Sequence, residues 1–364
     1  MSARRPFPWH RVFHPLCGAD PLTLASLVAR RGAPSLRGTP AFAVAAATSL
    51  ARLPFTALGL ALSPRPRAPA HPPVFIVGHP RSGTTHLHNL MAASGAFVTV
   101  PPVRAAMPWE ARTLSPLLRP FIDPYLPRTR LIDGVAMSPD APTEDEVGLA
   151  NMTALSYFHA IYFPSRLERD YRAGLTLDAS PPALAARARA MRRYVGSMSR
   201  PHAPLLLKNP AYTAQVGALR QLFPGARIVH IRRAPEAVFA STRRTLRATL
   251  RELALQDWHE ADLDETILRT YPEVMAAIER QGAALPPDTF AELRFEDVAA
   301  DPLPVLAELW RRLDLPGRQQ APERIARYLE TIAAYRPARN SLSLADRARL
   351  EQRWALGEGD VAAR

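Results

Sequence analysis

"VFIVGHPRSGTT", residues 74–85, decides how the rest of the chain is read. Its first part, "VFIVG" at 74–78, is a continuous apolar run with β-branched residues, which reads as a strand covered on both faces. A glycine-rich turn follows. From Ser82 the pattern becomes helical, with Leu87, Leu90 and Met91 on one face and Ser94-Gly95 as a stop. A turn placed between a buried strand and a helix aims backbone N–H groups and the positive end of the helix at a phosphate-like anion. Against the Walker pattern G-x-x-x-x-G-K-[ST], Gly78, Gly83 and Thr85 fall in place. Thr84 stands at the lysine position, and the cation is Arg81, inside the loop. The cradle is kept and the lysine that reaches a β- or γ-phosphate is not, which argues against NTP hydrolysis and for another phosphate-like group.

Outward from this loop, strands alternate with helices. "PLLLK" (204–208), "ARIVHIRR" (226–233) and "FAELRFED" (290–297) read as further strands. Helical patterns cover 182–200, 213–223, 235–246 and 302–317, and Pro235 sits in the first turn of its helix. Between 101 and 182 the chain reads as irregular. The alternation predicts an α/β domain of three layers, a central parallel sheet flanked by helices. The Pro-rich stretch "SPRPRAPAHPP", 63–73, reads as a stiff linker, dividing an N-terminal helical appendage (1–70) from the main domain (71–364).

The 364 residues suffice for a full core, and 47% apolar with 22% charged residues is globular composition. A net charge of +13 points to anionic partners such as nucleotides or anionic lipid. The basic residues are scattered rather than clustered in a tail, so nucleic acid is not an expected partner. Cys17 is the single cysteine, which excludes an internal disulfide and any multi-cysteine metal centre. No metal-ligating constellation stands out, and the N-terminus lacks an apolar core of signal-peptide length. The 41–63 stretch is apolar enough to consider a membrane span. Arg52 and Pro54 lie inside it, so a helix–break–helix on a membrane surface or on the protein is the expectation, in a protein of the cytoplasm.

Two further features carry chemistry. "RIVHIRRAPEAVFAST", 227–242, is a strand ending in Arg232-Arg233 followed by a helix with Ser241 two turns in. Arg233 and Ser241 could converge on a second phosphate at the carboxyl end of a parallel strand. The other is "LLLKNP", 205–210. Of 46 lysines plus arginines, Lys208 alone is lysine. A compact ammonium on a flexible stem does what a planar guanidinium cannot.

Together "FIVGHPRSGTTHLHNLM" and "RIVHIRRAPEAVFAST" resemble the sulfotransferases that use 3′-phosphoadenosine-5′-phosphosulfate (PAPS). "PTEDEVGLAN" (142–151), "YFHAIYFP" (157–164), "LLLKNP" and "ELRFEDVAADPL" (292–303) resemble a largely bacterial branch of that family. The resemblance implies a P-loop-like fold, with PAPS as co-substrate and no metal. It implies that His79, Pro80, Arg81, Ser82, Gly83, Thr84 and Thr85 form the 5′-phosphosulfate loop, and that Arg233 and Ser241 hold the 3′-phosphate. Lys208 takes the place of the lysine that lies against the sulfuryl group. The acceptor implied is a hydroxyl or amine on a small apolar, lipid or carbohydrate molecule.

The chain also departs from the family. Arg81 stands where cytosolic relatives carry lysine, and Pro210 stands where they carry the catalytic histidine. The base that takes the acceptor's proton must come from elsewhere. Glu110, Glu144, Asp145 and Glu146 are the acidic candidates, and His79, His86 and His159 the histidines. Glu144 or Glu146 is favoured, because other branches use a glutamate. Phe121, Tyr125, Tyr157, Phe158, Tyr162 and Phe163 suggest an apolar acceptor pocket, and "RPARNSLS" (336–343) is expected to close over the nucleotide. The rival readings are a P-loop kinase or NTPase, and a nucleotide-binding interaction protein without catalysis.

Overall fold

The computed structural model describes residues 13–63, 65–126, 138–333 and 342–354. Along the chain come α1 (Pro21–Arg31), α2 (Thr39–Leu62), β1 (Val74–Val77), α3 (Thr84–Ala93), α4 (Pro102–Ala106), α5 (Leu114–Ile122) and α6 (Glu146–Leu149). Next are α7 (Tyr157–Tyr162), α8 (Leu167–Thr176), α9 (Pro181–Met198), β2 (Leu206–Lys208), α10 (Val216–Leu222), β3 (Arg227–Arg232) and α11 (Pro235–Leu253). The chain continues through α12 (Ala261–Ala283), β4 (Phe290–Arg294), α13 (Phe295–Ala300), α14 (Pro302–Arg312), α15 (Ala321–Ile332) and α16 (Leu344–Trp354).

The four strands form one parallel sheet in the order β2-β1-β3-β4. Ile76 of β1 stands opposite Lys208 on one side and Val229 on the other. Side chains alternate across the sheet, as the pleat requires. Val74, Ile76, Leu206 and Val229 pack with Leu87 and Leu90 of α3 and with α14 and α15. Phe75, Val77, Leu207 and Ile228 pack with Tyr194 and Val195 of α9 and Ile278 of α12. Every residue of β1 is buried, which is why its sequence is apolar without alternation. The expected three-layer α/β architecture is thus present.

Local differences from the sequence reading have physical causes. The region between 101 and 182 holds the short helices α4 to α8; proline starts α4, and the Ser156 hydroxyl caps α7 by accepting from Phe158 N–H. The strand expected over 290–297 ends at Arg294, and α13 begins at once. Helix α12 was not foreseen; Pro272 lies at its middle. Helix α2 does not break at Pro54 but runs through it. Ala45, Ser49, Arg52 and Thr56 form a buried stripe spanning both sides of the proline. Pro54 and Leu50 lie on the exposed face, where water can reach the carbonyl that the proline leaves unpaired.

The N-terminal helices share a core with the rest of the chain. Leu16, Leu24, Leu27 and Ala45 pack with Phe163, Leu246 and Leu250. His14 Nε2 donates to the Leu253 carbonyl at 3.0 Å. Arg52 turns inward from α2: its guanidinium meets Glu110 at 2.6 Å and the Ala19 carbonyl at 2.7 Å, and Thr56 also donates to Glu110. The arginine that seemed out of place in an apolar run is therefore the partner of a carboxylate with 0% exposure.

Removing one partner of a buried ion pair strands the other charge, at a cost of roughly 3–5 kcal/mol. Arg52→Ala should lose stability in that range in urea denaturation. The apolar double variant Arg52→Met/Glu110→Leu should recover most of it.

Candidate functional site

The chain leaves β1 for β2 on one side of the sheet and reaches β3 on the other. In such sheets the crevice lies at the carboxyl ends of the strands where the order reverses, here at the end of β1. The 78–83 turn occupies that place. Three of its residues are left-handed or close to it: Gly78 (φ 154°), Arg81 (φ 76°) and Gly83 (φ 99°). A Cβ on Gly83 would lie 2.2 Å from the Phe295 ring, so glycine is required by space as well as by φ. Arg81 carries the strain of a non-glycine residue there, on the order of 1–3 kcal/mol. The turn is held from outside. Gly78 N–H donates to Thr213 Oγ1 at 2.8 Å, and Thr242 Oγ1 donates to the Pro80 carbonyl at 3.3 Å. Beyond Gly83 the first turn of α3 presents N–H groups that have no helical carbonyl before them.

Arg233 and Ser241 converge on the same turn. Arg81 Nε donates to Ser241 Oγ at 3.1 Å. Arg233 lies over the Phe295 ring, 4.4 Å from its centroid, and reaches the Arg81 carbonyl at 3.4 Å. Its neighbour Arg232 faces away and pairs with Glu292 at 3.2 Å. Arg81, Arg233 and Ser241 are thus brought together, with Phe295 as a floor that sequence reasoning did not single out. Its signal was the aromatic at the end of "ELRF", in a segment similar to the bacterial branch.

Lys208 ends β2, buried to 2% exposure, and its Nζ donates to Glu144 Oε2 at 2.5 Å. The Tyr157 hydroxyl donates to the other oxygen of Glu144 at 2.5 Å. Asp145 N–H donates to the Lys208 carbonyl at 3.1 Å, so the acidic segment is pinned along the end of β2. Glu146 turns the other way. Arg187 of α9 grips both its oxygens at 3.1 and 2.8 Å, and Asn209 Nδ2 also donates to it. Of the two favoured glutamates, Glu146 is fully buried and held by those partners, while Glu144 sits on Lys208. Asp145 is buried beneath Tyr194, and burial pushes its carboxyl well above the usual range, against the pull of Lys208.

The remaining candidates fall outside this cluster. Glu110 is spent on Arg52. His79 is buried in the loop, edge-on to Tyr271, and burial pulls its imidazole down to about 4. His159 lies between the Ala150 and Ala154 carbonyls, and burial takes it to about 3. His86 rests near Phe295 and is lowered by burial as well. Among the aromatics, Tyr157 reaches the site, Tyr162 and Phe163 are core, and Phe121 is 72% exposed. The Tyr125 side chain and residues 336–341 lie outside the described part of the structure. Among the described residues no group of three or more His, Cys, Asp or Glu side chains is placed to hold a metal ion.

Residues 72–319 match the model of a sulfotransferase family. The chain belongs to the sulfotransferase family. It is 30% identical over 287 residues to omega-hydroxy-beta-dihydromenaquinone-9 sulfotransferase Stf3 of Mycobacterium tuberculosis and of Mycobacterium bovis, covering 78% of this chain and 74% of the relative. The fold is similar to the crystal structures of sulfotransferase STF9 from Mycobacterium avium and STF1 from Mycobacterium tuberculosis. The TM-scores are 0.71 and 0.64 at 17% and 19% identity, over 93% and 92% of this chain and 95% and 90% of the other.

Family membership decides between the rival reaction classes. The chain is a sulfotransferase rather than a P-loop kinase, which agrees with Thr84 at the lysine position of the loop. Its buried histidines give the sulfotransferase a pH signature. Unfolded, an imidazole takes a proton near pH 6.5, whereas folded His14, His79 and His159 hold out to about 4, 4 and 3. Their contribution to stability is complete above pH 6.5 and lost as pH falls toward 4. Asp145 works in the opposite sense, since its raised carboxyl binds a proton in the native state first. With three imidazoles against one carboxyl, the thermal midpoint should fall between pH 6.5 and 4.5. His159→Gln should flatten the pH dependence of the unfolding free energy over that range by about 1.4 kcal/mol per pH unit. A midpoint that rises on acidification would contradict this.

Proposed function

We propose that this sulfotransferase moves a sulfuryl group from PAPS to the hydroxyl of an apolar, lipid-like acceptor, with Glu144 as base and Lys208 as the cation at the transferring group. The observation that carries the proposal is the 2.5 Å contact between Lys208 and Glu144 at the end of β2, where Ile76, two residues before the loop, is its register partner. The loop supports the donor assignment. Its glycines, the N-terminus of α3 and Arg81 suit the 5′-phosphosulfate, and Arg233 with Ser241 suits the 3′-phosphate. The lipid-like acceptor is supported by the mycobacterial relative, which is named for a hydroxylated dihydromenaquinone.

In the step proposed, the acceptor oxygen attacks sulfur from the side opposite the 5′-phosphate. A new S–O bond forms, the S–O bond to that phosphate breaks, and adenosine 3′,5′-bisphosphate (PAP) leaves with the bonding pair. The acceptor proton goes to Glu144 Oε2. Before reaction that oxygen holds the Lys208 ammonium. Once protonated, it holds the ammonium less strongly, and Lys208 can follow the charge toward the sulfuryl and leaving oxygens. Proton transfer and charge stabilisation are coupled through one ion pair. Tyr157 fixes the carboxylate by occupying Oε1.

Lys208→Ala should lower turnover with saturating PAPS on the order of 10²–10³, the range for losing one preorganised donor. PAP affinity should change little, and Lys208→Arg should restore only part of the loss, because its fork cannot move as a point charge. Glu144→Gln should lower turnover while leaving PAP affinity nearly unchanged. Full activity in both Lys208→Arg and Glu144→Gln would refute the assignment. Calorimetry should detect PAP binding in EDTA, and Arg233→Ala should weaken it; binding that requires added magnesium would refute the proposed phosphate site.

A further inference from the structure

Helix α2 has two faces. The inner stripe ends on Arg52 and Thr56, while Leu50, Leu53, Leu58 and Leu62 remain exposed, the last at 63%. Helix α2 is long and apolar enough to cross a membrane by length and composition. It does not sit as a span, since extracting it would strip Glu110 of Arg52 and Thr56. Beside it runs α5. Thr113 Oγ1 donates to the Phe55 carbonyl at 3.4 Å, and Gly59 lies against the Trp109 carbonyl. Helix α5 adds Leu117 and Phe121, exposed at 63% and 72%. Both helices thus present apolar side chains to solvent on either side of this contact, and α2 contains no acidic residue.

A cavity of about 420 Å³ adjoins this surface where α5 begins, and it shares no residue with the loop, Lys208 or Arg233. Arg67, Arg112 and Arg200 line it, together with Pro116, the residue before Leu117. The chain leading from α2 closes it, with Arg67 against Gly196 of α9. Among the described residues no carboxylate lines the cavity. Arg104 is buried close by; it donates to the Ser197 carbonyl at 3.0 Å, and its Nε is buried with no hydrogen-bond partner. Burial, Arg200 and Arg112 together lower its pKa to about 10. Arg67 and Arg112 are exposed at the cleft and Arg200 is half-buried, so an anion entering it from solvent would meet three guanidinium groups.

We infer that the outer faces of α2 and α5 rest on an anionic lipid bilayer, with lipid phosphates taken by the Arg67–Arg112–Arg200 cleft. A second copy of the chain would bring an identical basic cleft to the same contact and be repelled. An anionic bilayer meets both halves of the surface, acyl chains for the leucines and phosphates for the arginines. The inference is independent of which acceptor the sulfotransferase uses, and its test involves no turnover.

The test is flotation of the full chain with phosphatidylcholine vesicles and with the same vesicles containing phosphatidylglycerol. The protein should float with the anionic vesicles far more than with the neutral ones, be released by salt and be extracted by alkaline carbonate. Arg67→Ala/Arg112→Ala/Arg200→Ala should lower the affinity for anionic vesicles by roughly a hundredfold, at about 1 kcal/mol per arginine. Leu58→Glu/Leu62→Glu should abolish binding, with far-UV circular dichroism unchanged because both leucines are exposed. Inorganic phosphate should release no more protein than chloride of equal ionic strength. The inference is overturned by any of four results: no flotation, resistance to carbonate, an unaffected arginine triple variant, or release by phosphate alone. A leucine variant that converts a dimer to a monomer would overturn it in favour of a second copy.

Discussion

Three successive carboxyl groups, Glu144, Asp145 and Glu146, are taken out of water side by side, and the architecture around the site is organised by how each is satisfied. Leaving one of them charged and unpaired would cost more than most single contacts contribute. Glu144 is met by the only lysine, Glu146 by Arg187 and Asn209, and Asp145 is driven toward its neutral form under Tyr194. Each solution ties the acidic segment to a different element. Lys208 and Asn209 fix it to the end of β2, Arg187 to α9, and Tyr157 to α7. The same contacts therefore close the core and set the distance between the proposed base and cation.

The acidic segment can do this because β2 ends beside β1. Asn209 N–H reaches the Ile76 carbonyl at 3.3 Å, and the turn after it supplies Thr213 to hold Gly78. The position of the ammonium and the shape of the phosphate loop are thus consequences of one parallel register. A shift of that register by one residue would turn Lys208 to the opposite face and break both.

The sheet, the loop and the approach of Arg233 and Ser241 to it could be read from local pattern. A continuous apolar run such as "VFIV" has few other solutions, and a glycine that must adopt positive φ announces itself in sequence. The uniqueness of Lys208 singled it out without a structure. What escaped was set by contacts distant in the chain. Arg52 looked like a break in an apolar helix because its partner, Glu110, lies 58 residues away. Glu144 and Glu146 could not be told apart, since one residue of separation in a helical turn sends their side chains to Lys208 and to Arg187 respectively. Helix α12 was missed because Pro272 signals a stop, whereas packing of Ile267, Val274 and Ile278 carries the helix past it.

Pro210 shows how a departure from the family pattern can be built into a fold. At that position cytosolic relatives carry a histidine, reaching toward the acceptor from the same strand end as the lysine. Here the residue opens the 210–215 turn, with Asn209 Oδ1 capping Ala211 N–H at 2.9 Å. The Pro210 carbonyl receives Thr213 Oγ1–H at 2.7 Å, which orients that hydroxyl to accept from Gly78. A histidine would keep the carbonyl but lose the fixed φ that starts the turn. The strand end has become a brace for the 78–83 loop, and the proposed base comes from the facing segment. Glu144 is the carboxylate that faces Lys208 from there. In the proposed step Lys208 balances two charges in turn, the carboxylate before transfer and the sulfuryl oxygens during it. A guanidinium locked in a bidentate fork serves one of these well and the other poorly, which gives a physical reason for a single lysine among arginines.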